Sequence, residues 1–542
     1  DLGLFVNGIP VATAELKNQA TGQNVDDAVK QYRRRDPGTP LSSRLGMVHF
    51  AVDTERVMMT THLDGDDTEF LPFNQGHNGG KGNPPNPDGH TTAYLWEQAW
   101  SRDNWMDLLF RYVHQEKPTA DNPRGRVIFP RFHQWDAVRQ LEADCKANGA
   151  GSNYLVQHST GSGKSNTIAW LCHRLQSLHR DDDTKVFDKV IVITDRIVLD
   201  EQLQEAIYQF EHAHGLVQKI DRDSKQLAEA LSGRTARIII TTLQKFPFIL
   251  DKVSELGDRN YAIVADEAHS SQSGESAKAL RIALGYEDKN DDEDDDDVSD
   301  LIEAALVAAA TARGRQPNLS YFAFTGTPKN QTLELFGHQR PDGKYEAFHL
   351  YPMRQAIEEG FILDVLASYT TYNTYFNLQK TIEDDPEFET AKANRALRTY
   401  LTLHPTQLSQ KAQIITSHFQ TVVQPKIGGR AKAMVVCDSR LHALKTFKAL
   451  QSALAEARMA DATTGNVGVL VAFSGTLTDD DGEWTETKAN GLPESQTVKA
   501  FDTDEYKILV VAEKFQTGFN QSLLQAMYVD KALSRHRAVQ TL

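Results

Sequence analysis

The chain has 542 residues, 40% hydrophobic and 24% charged, enough for about three to four domains and unlike collagen-like, wholly disordered or membrane-embedded chains. Its 58 basic and 74 acidic residues give a net charge of −16, which at whole-chain scale argues against a phosphate-backbone partner, because such partners are held by Lys and Arg. The segment Glu287 to Asp300 alone carries ten acids against one lysine, contributing −9 and leaving −7 for the rest, so a basic DNA-binding groove elsewhere is not excluded. Cys145, Cys172 and Cys437 lie too far apart for a CxxC zinc site or a disulfide framework, and a reducing, cytoplasmic setting is expected. No run approaches the ~18 apolar residues of a membrane span. The start at Asp1, without Met or a signal peptide, and the end at Leu542 read as those of a fragment trimmed at both ends.

In chain order, residues 1 to about 62 alternate short apolar runs with turns, with a polar segment of helical length from Gln23 to Arg34. That pattern predicts a small α/β domain with a mixed sheet. Residues 74 to 92, rich in Gly, Asn and Pro, read as a flexible connector. Trp96, Trp100, Trp105, Leu108, Leu109, Tyr112 and Val113 recur at helical spacing and predict a packed helical segment. From about Val127, short apolar runs (YLVQ, VIVIT, RIIITT, YAIVADE, YFAFTGTP) alternate with helical stretches, and a second set follows (AMVVCDS, VGVLVAFS, KILVVAE, LLQAMYVDK). Two parallel-sheet α/β domains in tandem account for this, with residues 350 to 430 as a partly helical connection.

Thr160 to Ser165 read TGSGKS between the strand YLVQH and the helical run NTIAWLCHRLQSL. That is the order a phosphate cradle requires. Gly161 and Gly163 let backbone N–H groups turn inward around Thr160 and Ser162, Lys164 reaches the β and γ phosphates, and Ser165 ligates Mg²⁺. His158 stands where the full P-loop pattern has its first glycine. About a hundred residues on, the strand YAIVA ends in Asp266-Glu267-Ala268-His269; a phosphoryl-transfer ATPase needs one carboxylate on the magnesium shell, Asp266, and one to orient the attacking water, Glu267. Gln134 precedes the P-loop at the distance of an adenine-reading glutamine. Thr325-Gly326-Thr327-Pro328 can sense the γ-phosphate through Thr327, while Asp195, Arg196, Thr241 and Thr242 follow or end other strands on the ligand-binding edge of an open parallel sheet. Thr517 and Gly518, in Thr517-Gly518-Phe519-Asn520, are placed to face nucleotide and DNA from the second unit. In order and spacing the set resembles the superfamily 2 helicase and translocase motors, two RecA-like domains that close on ATP. The TGTP turn favours a DNA motor, and the chain stops at Gln540-Thr541-Leu542, before the arginine of the last motif.

A second centre is expected at the start. Strand alternation puts Glu15 and Lys17 on one face. A three-residue or bulged turn at Asn7-Gly8, which sets Asp1 opposite Glu15, is expected; a tight two-residue loop sets Asp1 opposite Ala14 and would count against the site. Two carboxylates and a lysine on one face suit a metal-dependent phosphodiester hydrolase of the PD-(D/E)xK type: Asp1 and Glu15 hold Mg²⁺ and Lys17 stabilises developing charge. The chain has four Glu-x-Lys patterns, at Glu15, Glu287, Glu486 and Glu505. Gln31 and Tyr32 are adjacent rather than in the Gln-x-x-x-Tyr spacing of related nucleases, so Gln31 is given no role; Arg33, Arg34 and Arg35 are placed to track DNA phosphates.

Taken together, the nuclease pattern, FLPFNQGHNGGKGNPPNP, YLWEQAWSRDNWMDLLFRYVH and the motor motifs resemble the restriction subunit of type I restriction-modification enzymes over essentially the whole chain. The resemblance implies an α/β protein with a nuclease and linker domain at 1–125 and RecA-like domains at 126–350 and 351–542. It also implies a prokaryotic, cytoplasmic, ATP-driven translocase of double-stranded DNA that cuts away from the recognition site. Modification and specificity subunits would be partners, S-adenosylmethionine entering only through the former, with no membrane. The alternatives are a repair or remodelling motor with a non-catalytic N-terminal DNA-binding domain, and a nucleotide-switched assembly subunit.

Overall fold

The computed structural model describes residues 1–116, 125–194, 200–210, 215–220, 224–233, 235–242, 245, 248–249, 259–266, 317–328, 330–362, 364, 405–460, 467–479, 482–512, 514–515 and 519–531. Contacts divide the chain into two compact units, Asp1–Asp364 and Val365–Leu542.

The first unit begins with a five-stranded sheet in sequence order: β1 (Leu2–Val6), β2 (Ile9–Leu16), β3 (Val48–Val52), β4 (Val57–Thr60) and β5 (Leu71–Pro72). β2 and β3 are parallel and the other pairs antiparallel, the expected mixed sheet. The parallel pair needs a crossover, supplied by α1 (Val25–Arg33). Asn24 starts that helix by accepting from the backbone N–H groups of Asp26 and Asp27, and the Asp27 carboxylate accepts from the Asn24 N–H at 3.1 Å, a capping box. Val25, Ala28 and Tyr32 are buried with Ala51 and Leu63.

The first hairpin differs from expectation in an informative way. Val6 pairs with Ile9, so Asn7 (φ 50°) and Gly8 (φ 82°) form a tight two-residue turn and not a three-residue loop. Phe5 then pairs with Pro10 but Leu4 with Ala12, leaving Val11 as a bulge. Pro10, which has no N–H for the ladder, sits at the irregularity. The extra residue moves Leu2 opposite Ala14, and Asp1 therefore lies one step on, opposite Glu15.

A two-stranded ladder, β6 (His114–Gln115) with β7 (Val127–Ile128), precedes α3 (Phe132–Asn148); the short helix before it is α2 (Arg102–Asp107). The second sheet uses β8 (Asn153–His158), β9 (Lys189–Thr194), β10 (Val217–Lys219), β11 (Ile238–Thr242), β12 (Tyr261–Ala265), β13 (Leu319–Thr325) and, after a small hairpin of β14 (His338–Gln339) and β15 (Tyr345–Glu346), β16 (His349–Tyr351). Its order is β10-β11-β9-β12-β13-β8-β16 and every pairing is parallel. β9, β12 and β13 are buried at every residue, which is why they read as mostly apolar runs, with Lys189, Thr194, Ser320 and Thr325 as buried exceptions.

The two sheets share one continuous core. Phe50 of β3, fully buried, lies edge-on to Phe73 at 5.7 Å, Trp100 at 5.4 Å and Phe129 at 5.9 Å, and Phe73 meets Phe132 of α3 at 5.6 Å. The Trp-rich segment is thus the mortar between the first sheet and the second. Phe50→Ala removes a side chain from its centre and is expected to cost about 3–5 kcal/mol, read as a lower midpoint in the chemical unfolding of this unit; an unchanged midpoint contradicts the shared core.

The Gly- and Asn-rich stretch from residue 74 is no flexible connector. Asn74 Oδ1 accepts from the Val57 N–H at 2.9 Å, and Asn83 donates to Asn74 Oδ1 at 3.0 Å and to the Glu55 carbonyl at 2.7 Å. Its tip lies on the helix Met353–Glu358: the Lys81 N–H donates to Glu358 Oε2 at 2.9 Å, and a Cβ on Gly76 (φ 84°) would fall 2.4 Å from the Gln355 side chain. The glycines are there for close approach.

The second unit holds a four-stranded parallel sheet in the order β18-β21-β17-β22. Its strands are β17 (Lys432–Cys437), β18 (Gly468–Ala472), β21 (Tyr506–Val511) and β22 (Leu524–Asp530), with β19 (Leu477–Asp479) and β20 (Gly482–Trp484) as a side hairpin. Alternation along β17 sends Ala433, Val435 and Cys437 into one core and Met434 and Val436 into another.

Candidate functional site

Parallel strands end on one edge. Register places Thr325 beside Gln157, Ala265 beside Ala323 and Ile193, and Thr242 beside Thr194. The P-loop after β8, the TGTP turn after β13, Asp266 after β12, and Thr241 and Thr242 ending β11 therefore share the carboxyl edge of one sheet, where open α/β folds bind ligands. Asp195, Arg196, Glu267, Thr517, Gly518 and the acidic run 287–300 lie outside the described residues.

The loop itself is built by short-range geometry. Gly161 and Gly163 both have positive φ (78° and 81°), and Gly163 caps α4 (Lys164–Gln176) at its N-terminus. Gln134 fastens it: its Nε2 donates to the Gly163 carbonyl at 3.0 Å while its Oε1 accepts from the Arg131 N–H at 2.9 Å. Gly326 presses on the loop from the other side, its missing Cβ 3.3 Å from Thr160 N and Thr160 Oγ1; the Thr327 N–H donates to Thr325 Oγ1 at 3.2 Å. Lys164 is buried, its Nζ 3.5 and 3.4 Å from the carbonyls of His158 and Ser159. Ser165 lies one residue into α4, on the helix end that favours an anion. Gly163→Ala puts a side chain in the left-handed region and 2.6 Å from Gln134 Nε2. A cost of about 1–2 kcal/mol predicts roughly tenfold weaker ATP binding, measured by titration with a fluorescent analogue; equal affinity contradicts this loop as the phosphate cradle.

His158 explains the missing glycine. It is fully buried, its Nε2 2.8 Å from His349 Nδ1, whose other ring nitrogen lies 3.4 Å from Asp136. Burial, reinforced by the neighbouring His349, holds its pKa well below the usual value, so it is a neutral core residue tying β8 to β16. Nearby, Arg131 donates to the Tyr351 hydroxyl at 2.8 Å and stands 3.5 Å from Glu359, and His133 stacks on Tyr351 at 3.7 Å. Sequence reasoning had no signal for this network.

The second centre lies on β2. Thr13, Glu15 and Lys17 share one face, covered by α1 and the residues after it. Glu15 is fully buried; its partner is the Arg35 guanidinium, which contacts its Oε1 and lies 4.0 Å from Asp1. Lys17 donates to Gln31 Oε1 at 2.6 Å, so the glutamine given no role holds the lysine. Gln31 lies in the last turn of α1 and Arg35 just past its cap at Arg34, and both side chains reach this face of β2. Below them run Tyr32, Thr13 and His49, linked at 2.8 and 2.7 Å; burial, and secondarily Arg35, lowers His49 to about 4, so it is neutral. Of the three arginines expected on DNA, Arg35 faces the carboxylates, Arg33 donates to the Thr68 carbonyl at 3.1 Å, and only Arg34, at the end of α1, has no such inward contact among the described residues. The other Glu-x-Lys copies differ: Glu486 is buried but fully engaged, by the Phe473 N–H, Thr497 and Lys514, and Glu505 is exposed.

Among the described residues no group of three or more His, Cys, Asp or Glu is placed to hold a metal ion. Mg²⁺ does not need three, since it commonly takes one or two carboxylates and fills its remaining positions with water and substrate phosphate. A buried carboxylate held by one guanidinium, with Asp1 at the same guanidinium, fits such an ion once that cation gives way.

Residues 1–68 match the family described as type I restriction enzyme R protein N terminus, and residues 133–399 match the SWI2/SNF2 ATPase family. Along all of its length the chain is 25% identical to a type I restriction enzyme endonuclease subunit of Staphylococcus aureus and 23% identical to a putative one of Methanocaldococcus jannaschii, covering 54% and 49% of those proteins. The chain thus spans about half the length of the curated relatives it matches. A fragment structure of a putative HsdR subunit from Vibrio vulnificus aligns over 98% of this chain and 77% of that one, with 14% identity and a TM-score of 0.44. No helix among the described residues is long and apolar enough to cross a membrane.

Proposed function

We propose, for a chain that belongs to the R-protein family of type I restriction enzymes, that it is the nuclease and motor part of a restriction subunit, an ATP-dependent double-stranded DNA translocase joined to a Mg²⁺-dependent endonuclease. Residues 1–125 are assigned to a PD-(D/E)xK nuclease with its connection to the motor, 126–350 and 351–542 to two RecA-like motor domains. The observation that carries the reading is the face of β2, where buried Glu15 and Asp1 meet at the Arg35 guanidinium and Lys17 is fixed by Gln31.

In the motor, Thr160 to Ser165 cradle the phosphates, with Lys164 neutralising the β and γ groups. Ser165 and Asp266 hold the magnesium of ATP, Glu267 orients the attacking water, and Gln134 reads adenine. Thr327 senses the γ-phosphate and Gly518 is assigned to nucleotide binding; Asp195, Arg196, Thr241, Thr242 and Thr517 are assigned to DNA, and Arg34 is the arginine of its cluster free to meet a phosphate. In the nuclease, Asp1 and Glu15 would hold Mg²⁺, which when bound would supply polarisation of the scissile phosphate and activation of water. Lys17, held by Gln31, aims its ammonium at the charge that develops on the phosphate. Modification and specificity subunits supply sequence recognition, S-adenosylmethionine belongs to the former, and the assembly works in a prokaryotic cytoplasm.

The test uses the full-length protein with its partner subunits, supercoiled DNA, ATP and Mg²⁺. DNA-stimulated ATP turnover accompanied by double-strand cleavage is expected. Turnover without cleavage supports a motor with a non-catalytic N-terminal domain, and absence of DNA-stimulated turnover supports a nucleotide switch.

A further inference from the structure

Arg35 does not stand where a phosphate-tracking arginine should. Its guanidinium is turned inward, against the buried Glu15 carboxylate and 4.0 Å from Asp1, and it lies 4.7 Å over the Tyr32 ring. We propose that Arg35 is a built-in counter-cation of the nuclease centre, bridging the two carboxylates that the nuclease reading assigns to a divalent ion and leaving them when that ion binds. The inference rests on that reading and adds a positioning residue to it.

Three observations support it. A buried carboxylate is costly unless a cation stands beside it, and Lys17, the other cation on this face, is turned to Gln31. His49, which lies against Thr13 and the Tyr32 ring, is held neutral by burial and secondarily by Arg35. Arg35 is thus the positive charge that makes a metal-free Glu15 tolerable. Its side chain is 30% exposed, and it follows the last residue of α1 and its cap at Arg34, so it can swing along the Tyr32 ring toward solvent without unfolding the helix. A monocation beside the carboxylates opposes a divalent one by charge repulsion. The device keeps the nuclease weakly metallated until a bound DNA phosphate offers the guanidinium another anion.

Mn²⁺ binding to the full-length protein, without nucleotide or DNA, is the measurement, by titration calorimetry. Arg35→Met keeps the bulk over Tyr32 and is expected to bind Mn²⁺ about tenfold more tightly than wild type, whereas Arg35→Lys keeps the charge and stays near wild type. The metal-free methionine variant melts at a lower temperature than wild type, and Mn²⁺ raises its midpoint by more. Arg35→Gln, which keeps a donor toward Glu15, gives the same comparison if the methionine variant does not fold. Unchanged or weaker Mn²⁺ binding in the neutral variants overturns the role of Arg35. Glu15→Gln separates the two claims: it is expected to lose the ion, and if it binds Mn²⁺ as wild type does, the nuclease reading itself fails.

Discussion

Replacing Lys17 by alanine is expected to lower double-strand cleavage by about 10²–10³-fold, the usual effect of removing one preorganised cationic donor from a developing oxyanion, while DNA-stimulated ATP turnover stays within about twofold of wild type. The separation follows from the geometry. Lys17 lies beyond the end of β2, its ammonium 2.6 Å from Gln31 and its backbone N–H 2.8 Å from the Val52 carbonyl, so truncating the side chain leaves the β2–β3 pairing intact. None of the residues that fasten the P-loop, Gln134, Arg131 and Gly326 among them, touches it. Gln31→Ala is expected to show a milder form of the same defect, because the lysine stays but is no longer aimed. Cleavage and ATP turnover are measured on one preparation with supercoiled DNA; undiminished cleavage in Lys17→Ala eliminates the assignment.

Lys164→Ala is expected to remove both activities, with ATP turnover down by about 10²–10³-fold or more and cleavage lost with it. The lysine side chain is buried under the loop with its ammonium already near the His158 and Ser159 carbonyls, so it is positioned before phosphate arrives and little ordering accompanies binding. Arginine is a poor substitute, because a planar guanidinium does not fit where a compact ammonium meets two carbonyls. Since cleavage in this account follows translocation, a motor without phosphate chemistry strands an intact nuclease. Cleavage that persists in Lys164→Ala breaks that coupling.

The asymmetry between the two variants mirrors what could be read in the residues. TGSGKS is legible because its loop conformation is fixed within six residues, and β9, β12 and β13 are legible because strands buried on both faces are mostly apolar. The first hairpin was half legible. Asn7-Gly8 does make the tight turn its chemistry favours, but the register that joins Asp1 to Glu15 comes from the bulge at Val11, a choice made by packing and by the proline before it.

The glycine-rich stretch was misread because composition cannot separate a chain that needs freedom from one that needs close approach. Its partner, Glu358, is 277 residues from Lys81, and no local pattern announces such a contact. Arg35 and Gln31 failed for the same reason: sequence shows that an arginine is present but not which anion faces it. His158 reads as a defect in a motif until His349 and Asp136 are placed beside it.

Net charge deserves the same caution. On the face of β2 two acids, Asp1 and Glu15, lie against Arg35, so an overall charge of −16 says nothing about the sign of the field at such a site. What matters is how the few charges on β2, α1 and the P-loop edge are paired.

The most direct test of two separate centres in one chain is Glu15→Gln in the full-length subunit with its partners, with ATP hydrolysis and conversion of supercoiled to linear DNA followed in the same reaction. The account predicts hydrolysis at the wild-type rate with no linear product. Linear DNA formed at the wild-type rate, or loss of hydrolysis together with cleavage, contradicts it.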